Sequence, residues 1–509
     1  MNHYDLCVIG GGPAGFAAAM HALDFGKRVL LIEKKKIGGA GIYDGALASK
    51  TFWEISREAL QARKRAFKYG SPYSGIPFEQ VLQEVNEAVE ERSDYLENHL
   101  LAVSRHRNHA NFELVFGTGR MEDATIIEIT NKEGKSTRVK ADYTVLATGS
   151  RPRMLPHIPV DEKIIITSDG VTSLTDYPES IVILGAGIIG CEYTTVFSNF
   201  GRSKVDLVSN TNRILPFEDQ DISNVVERIF QSNGVHIHRN AELVEILVRD
   251  GRVHYQLCFE KNLCEWFSAE KALISVGRVP NLENLGVYEL GIKLTSRGFI
   301  DDIDTQTNIP NIYAVGDLTA DVALVNVGEL EGRHAVEKIF AGSAKELARN
   351  NISTIMFLNP ETASVGINEQ DAQKQGIPYR VVCLEYKSIA RAVAMRNTKG
   401  FFKILVTDDE KMLVLGMRAL GEHASSAIQA VALLMAGQRG IEELAEMIHP
   451  HPSITEGVQE AMRVLLGNPI IRPLGTDDCC VRAGVWRDGK YSPINGSYFS
   501  EYQTPSFND

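Results

Sequence analysis

Two glycine triplets are the residues in this chain best suited to chemistry. The first is Gly10-x-Gly12-x-x-Gly15 and the second is Gly185-x-Gly187-x-x-Gly190. At this spacing the first glycine permits a tight turn, and the second lets the backbone approach a pyrophosphate. The third lets the following helix pack closely on its strand, and that helix turns its N-terminal amides and dipole toward the phosphates. The chemistry so indicated is dinucleotide binding, twice in one chain.

Each triplet needs a strand before it and a helix after it. Residues 4–9 are an apolar run that reads as a strand. Residues 13–25, opening on Pro13-Ala14, read as a helix, and residues 28–32 as a second strand ending in Glu33. An acid about 20 residues beyond the first glycine is where a ribose-binding carboxylate stands in such a unit. The second set repeats the order, with a strand over 181–184, a helix from Ile188 to about residue 200, and a strand over 204–208. This strand ends in Ser209. An acid there would hold a ribose 2′-hydroxyl and repel a 2′-phosphate. The neutral Ser209 does neither strongly, and Arg213 is a nearby candidate for a phosphate, so NAD(H) and NADP(H) both remain open. Three further segments read as buried strands closing on turns: 144–150 with Thr148-Gly149, 274–281 with Gly277, and 311–317 ending in Asp317.

These five segments, in this order, resemble the FAD/NAD(P)-dependent pyridine nucleotide-disulfide oxidoreductases. That family includes dihydrolipoamide dehydrogenase and the soluble pyridine nucleotide transhydrogenase. The resemblance covers roughly residues 4–470. It implies an α/β fold with two Rossmann-like dinucleotide-binding domains plus a C-terminal α+β dimerisation domain. The expected domains are an FAD domain in two segments (1–152 and 283–344), an NAD(P) domain (153–282), an interface domain (345–474) and a tail (475–509). The first triplet, Glu33, Gly41, Thr148, Gly149 and Asp317 are expected at FAD. The second triplet, Ile188 and Ser209 are expected at the nicotinamide cofactor, and Gly277 at one of the two cofactors. Lys50 matches the family lysine that approaches the flavin, and Glu192 matches the acid that pairs with it. A cation there tunes the reduced flavin.

One departure changes the expected chemistry. Where the family carries a Cys-x4-Cys redox dithiol beside its flavin, this chain has Gly41 and Ala46. Neither has a nucleophile for disulfide exchange. Their small side chains are expected to leave space on that flavin face, with Tyr43 and Asp44 lining it. Hydride entry from NAD(P)H needs only stacking and orientation. Three exits then remain. The flavin can return hydride to a second nicotinamide, as a transhydrogenase does, or reduce a quinone-like small-molecule acceptor. Electrons can also pass to thiols elsewhere, for which the adjacent pair Cys479-Cys480 is the candidate. A reading of another class is a non-catalytic flavin-binding scaffold or redox sensor.

Near the C-terminus, His451 and Glu456 match the family's histidine and its orienting acid, which reach the active site of a partner subunit. That implies a homodimer. Ser453-x-x-Glu456 is also a capping box, so Glu456 has an alternative as a helix cap. His449 reads as structural. The tail beyond residue 475 has no clear periodicity, though Trp486 and Tyr491 are candidates to pack on the body.

Bulk composition agrees with a globular enzyme. The chain has 509 residues, 44% apolar and 23% charged, and a net charge of −12, which argues against a nucleic-acid surface. No apolar run reaches spanning length and no leader pattern opens the chain, so a cytoplasmic protein without membrane insertion is expected. The seven cysteines lack CxxC spacing. They read as a reduced, mostly buried set with no structural zinc, and no metal site is expected.

Overall fold

The computed structural model describes residues 1–43, 45–105, 111–260, 263–342, 345–349, 351–471 and 480–494. Contacts divide the chain into two units. One comprises Met1–Ile55, Ser74–Tyr177 and Leu273–Leu347; the other comprises Ser56–Tyr73, Pro178–Ala272 and Ala348–Asp509.

In the first unit, β-rich apolar runs build a sheet buried on both faces. The strand Asn2–Ile9 lies between Val29–Glu33 and Ser136–Leu146, parallel to both, with Leu6 opposite Val29 and Ile9 opposite Leu146. Phe112–Phe116 and Ile312–Ala314 extend the parallel part, and Ile126–Thr130 and Thr118–Met121 add an antiparallel edge. Alternation along Asn2–Ile9 decides the two cores. Leu6 and Val8 join the cluster under the helices, while Cys7 and Ile9 join the cluster on the opposite face. Burying each large apolar side chain contributes about 1.5–3 kcal/mol.

Helices Pro13–Asp24 and Val325–Phe340 cross at small residues. A Cβ built on Gly332 would lie 2.2 Å from the Ala14 carbonyl oxygen, and one on Gly328 3.3 Å from Ala14 Cβ. The backbones therefore touch where only glycine fits. In an exposed helix, replacing glycine by alanine would gain about 1 kcal/mol. At Gly332 the contact is with backbone, which cannot swing aside. Gly332→Ala is expected to destabilise the protein by about 1–3 kcal/mol, read as a lower urea midpoint. A higher midpoint would contradict this crossing.

In the second unit, parallel strands His236–His238, Lys204–Val208 and Ser180–Leu184 lie side by side, and the latter two flank the helix Ile188–Phe200 in sequence. An antiparallel meander, Glu242–Arg249, Arg252–Phe259 and Leu263–Ala269, follows them in the chain. The C-terminal part is a seven-stranded antiparallel sheet covered by helices Ala424–Gly437 and Glu456–Leu466. Its last two strands, Val481–Arg487 and Lys490–Pro493, come from the segment in which the sequence showed no periodicity. Trp486 stacks on Tyr379 at 5.6 Å, and the Tyr491 hydroxyl bonds Tyr379 and Glu369. Both aromatic residues thus pack on the body.

The cysteines correct one expectation. Cys258 and Cys264 stand directly opposite on the meander and form a disulfide. Cys7, Cys191 and Cys383 are free and buried, and burial pushes the Cys383 thiol up to about 12. Cys479 lies outside the described residues. No helix among the described residues is long and apolar enough to cross a membrane.

Candidate active site

The two glycine triplets have the same local geometry. Gly10 has φ +111° and Gly185 φ +112°, values that favour glycine. A Cβ on Gly10 would sit 2.3 Å from the Ala147 carbonyl oxygen, and one on Gly15 1.9 Å from the Gly10 carbonyl oxygen. The middle glycines differ. Gly12 and Gly187 are the N-caps of their helices, neither helix has a side-chain cap, and a Cβ at either would meet nothing within 4 Å. Both helix N-termini therefore present uncapped amides to open space, the arrangement a phosphate fills. Pro13 takes the first helical position, where its missing N–H is no loss. Ile188 occupies the corresponding position of the second helix and is partly exposed.

Around the first triplet, Glu33 is buried and orders the loop. Its Oε2 accepts the Gly11 N–H at 2.7 Å and its Oε1 the Lys35 N–H at 2.6 Å. The turn 38–41 rests on the same loop, with Gly38 donating to the Gly11 carbonyl at 2.8 Å. A Cβ on Gly41 would lie 2.7 Å from Pro13 Cγ. Lys50 lies early in the helix Ala46–Tyr69, half-buried, with Nζ donating to Ser49 Oγ at 3.3 Å. Tyr43 bonds Ser93 through its hydroxyl and has Lys36 Nζ 4.5 Å from its ring centroid. Asp44 lies outside the described residues.

Thr148 and Gly149 form a clamp with Asn281. Thr148 Oγ1 donates to the Asn281 carbonyl at 2.7 Å, and the Asn281 side chain returns a bond to the Thr148 carbonyl at 2.9 Å. Gly277 has φ +107°, and its carbonyl accepts the Arg153 N–H at 2.9 Å. Asp317 follows Gly316 in a short helical turn, and its Oδ2 accepts Ser150 Oγ–H at 2.6 Å. Arg278 Nε donates to that same Ser150 oxygen at 2.8 Å. Glu331 accepts the Gly316 N–H at 2.7 Å. Sequence reading missed Ser150, Arg278 and Glu331, because their partners are distant in the chain.

In the second unit, Ser209 is buried and its hydroxyl turns into its own loop, toward Thr211 Oγ1 at 2.9 Å and the Arg213 carbonyl at 3.2 Å. The Arg213 guanidinium donates to the Pro216 carbonyl at 2.7 Å. Gly190 is buried inside the helix. Glu192 is buried and accepts the Phe357 N–H at 3.0 Å.

The C-terminal acid contacts both His451 and the backbone of Ser453. Glu456 Oε1 lies 2.7 Å from His451 Nδ1, and Oε2 accepts the Ser453 N–H at 2.8 Å; because Glu456 opens its helix and Thr455 is the N-cap, this contact is not the capping box the spacing suggested. Partial burial pushes the Glu456 carboxyl up. The Ser453 N–H and the His451 ring more than offset this and hold it below the usual carboxylate range. The His451 side chain is 70% exposed. His449 bonds Thr455 and the Leu444 carbonyl, a structural arrangement.

Residues 4–335 match the model of the pyridine nucleotide-disulphide oxidoreductases, and residues 352–462 match the dimerisation domain of the same family. The chain belongs to that family. The dihydrolipoyl dehydrogenase of Chlamydia muridarum is 32% identical over 475 residues, covering 92% of this chain and 98% of the relative. That of Bacillus subtilis is 32% identical over 470 residues, covering 92% and 97%. Among solved structures, LpdA from Mycobacterium tuberculosis superposes with a TM-score of 0.83 at 26% identity, covering 91% of this chain and all of that one. The HOCl-induced flavoprotein disulfide reductase RclA from Escherichia coli gives 0.79 at 25%, with the same coverage. The α/β fold is that of the flavoprotein disulfide reductases, with FAD- and NAD-binding domains and a C-terminal dimerisation domain.

The family is FAD-dependent and uses NAD(P)H. The residues present fit that pair of cofactors. Both middle glycines leave open space at an uncapped helix N-terminus, and in the first triplet Gly10 and Gly15 close the turn against backbone.

Proposed function

We propose that this chain is an FAD-dependent NAD(P)H oxidoreductase that hands electrons from its flavin directly to a diffusible acceptor, as a transhydrogenase does. The observation that carries this reading is the pair Gly41 and Ala46 at the positions of the family's dithiol. The close approach of Pro13 Cγ to a Cβ at Gly41 supports it, since a cysteine there would need the proline to shift. The Cys258–Cys264 disulfide belongs to the meander and is given no part in this transfer. Bound FAD would supply a two-electron carrier between a reduced nicotinamide and the acceptor.

The protein's own residues would bind and tune. Gly10, Gly12, Pro13, Ala14, Gly15, Glu33, Gly41, Thr148, Gly149 and Asp317 would hold FAD. Gly185, Gly187, Ile188, Gly190 and Ser209 would hold the nicotinamide cofactor, and Gly277 one of the two cofactors. Lys50 would oppose negative charge on the reduced flavin, with Glu192 as the acid the family pattern assigns to it. The lack of an acid at Ser209 supports acceptance of both NAD(H) and NADP(H). The working form would be a cytoplasmic homodimer. Its FAD domain would be split (1–152 and 283–344) around an NAD(P) domain (153–282) and followed by an interface domain (345–474).

The exposed His451 with its Nδ1 on Glu456 favours a second reading, reduction of a quinone-like acceptor with His451 supplying a proton. The Glu456–His451 contact is favoured above the usual carboxylate range and is lost as pH falls through the depressed Glu456 value. On this reading His451→Gln lowers quinone turnover at least about tenfold and leaves nicotinamide exchange unchanged. Equal loss in both assays would remove the distinction.

A stopped-flow panel tests the main proposal. The flavin is bleached anaerobically with NADH or NADPH, then chased with the other nicotinamide, with quinones and with lipoamide. Rapid bleaching followed by reoxidation by a nicotinamide is expected. Efficient reoxidation of the reduced flavin by lipoamide, or reduction of NAD+ by dihydrolipoamide, would overturn the proposal. No bleaching by either nicotinamide would favour a scaffold or sensor.

A further inference from the structure

We propose that Asp206, His236 and His238 form a site for one divalent transition-metal ion, Zn2+ or a cation of similar chemistry, on the edge of the nucleotide-binding sheet of the second unit. No step assigned above uses these residues, and the sequence reading placed no metal here.

The site arises from strand register. Asp206 is paired with His236 across two parallel strands, and Val208 with His238. Side chains two apart on a strand share a face, so both imidazoles stand on the side of Asp206. Asp206 Oδ1 lies 3.1 Å from His236 Nδ1 and 2.9 Å from His238 Nε2. Donor atoms of all three residues lie within 4.8 Å of one another. Adjacent ligands of an ion with bonds of about 2.0–2.2 Å are roughly 3 Å apart, so a modest turn of the His236 ring completes the triangle.

Burial is graded in a way that suits entry of an ion. The His238 side chain is 4% exposed, Asp206 24% and His236 69%. His238 is fixed by aromatic neighbours, with Phe267 at 4.9 Å edge-on and Phe259 at 6.1 Å. A rigid buried ligand, a partly buried carboxylate and an open imidazole give three protein donors with a free coordination position.

The contacts without a metal are a poor use of these groups. Two imidazoles with centroids 4.3 Å apart both address a single carboxylate oxygen. If both were protonated, two cations would share one anion. A divalent ion replaces this with three ligand bonds and accepts neutral imidazoles. The competing account is an ion pair that merely pins the edge strand.

The test uses the full-length, FAD-loaded protein after removal of metal with a chelator. Zn2+ is titrated against a chromophoric competitor, and bound zinc is counted by elemental analysis. We expect about one equivalent per chain that is lost, or bound at least about tenfold more weakly, in Asp206→Asn and His236→Gln. Zinc is expected to raise the melting temperature of the parent protein and not of His236→Gln. His236 is exposed, so that variant keeps its fold, checked by the flavin spectrum. Absence of stoichiometric uptake, or uptake unchanged in both variants, overturns the proposal and leaves the ion pair.

Discussion

Gly187→Asp is expected to leave flavin bound and slightly raise stability, yet cut flavin reduction by NAD(P)H roughly 100-fold or more. Gly187 is the N-cap of the helix Ile188–Phe200, with φ −81° and ψ −166°, extended backbone that any residue adopts. A Cβ there meets nothing within 4 Å, so the new side chain fits without disturbing the fold. An aspartate at an N-cap bonds the first-turn amides and favours the helix by a few tenths of a kcal/mol over glycine. Those amides are the ones proposed to receive the pyrophosphate. The carboxylate would both occupy them and repel the phosphates. Like charges brought together at a binding site cost several kcal/mol, and each 1.4 kcal/mol is a factor of ten. The measurement is the rate of anaerobic bleaching at subsaturating NADH, beside a thermal melt. Unchanged bleaching would show that the nucleotide does not approach this loop.

Lys403→Met is expected to destabilise the second unit by about 3–5 kcal/mol. Lys403 is fully buried, with Nζ 2.7 Å from Asp219 Oδ1, 2.8 Å from Asp221 Oδ2, and in contact with Glu369. One ammonium therefore serves three buried carboxylates. Methionine fills most of the stem's volume, so lost packing is small. The dominant effect is that three acids keep their burial and lose their cation. Asp219 also caps the helix Gln220–Ser232 through the Asp221 N–H, so loosening the cluster frays that helix start. Denaturant unfolding followed by a probe in this unit checks the figure. A loss below about 1 kcal/mol would mean that water or protonation already relieves the cluster.

Both glycine loops were legible in the sequence because each is a local object. A strand, a turn and a helix within about 25 residues dictate where Gly10, Gly12 and Gly15 must stand, and Gly185, Gly187 and Gly190 repeat the pattern. The His451–Glu456 pair is local as well, five residues apart at a helix start. The strands Asn2–Ile9 and Ser180–Leu184 announced themselves through the apolar runs over 6–9 and 181–184, the mark of parallel strands buried on both faces.

What the sequence determined by itself, then, was the strand, turn and helix around each glycine triplet, and the presence of Gly41 and Ala46 on which the proposed direct transfer rests. Tertiary structure alone decided which distant residues meet. It placed Gly332 against Ala14, Arg278 and Asp317 on Ser150, Lys403 among three acids, Tyr491 on Glu369, Cys258 on Cys264, and Asp206 between two histidines. The reason is physical. Helix crossings and strand register are set by apolar burial summed over whole sheets, and in the strands a shift of one residue would send side chains such as Asp206 and Cys258 to the opposite face.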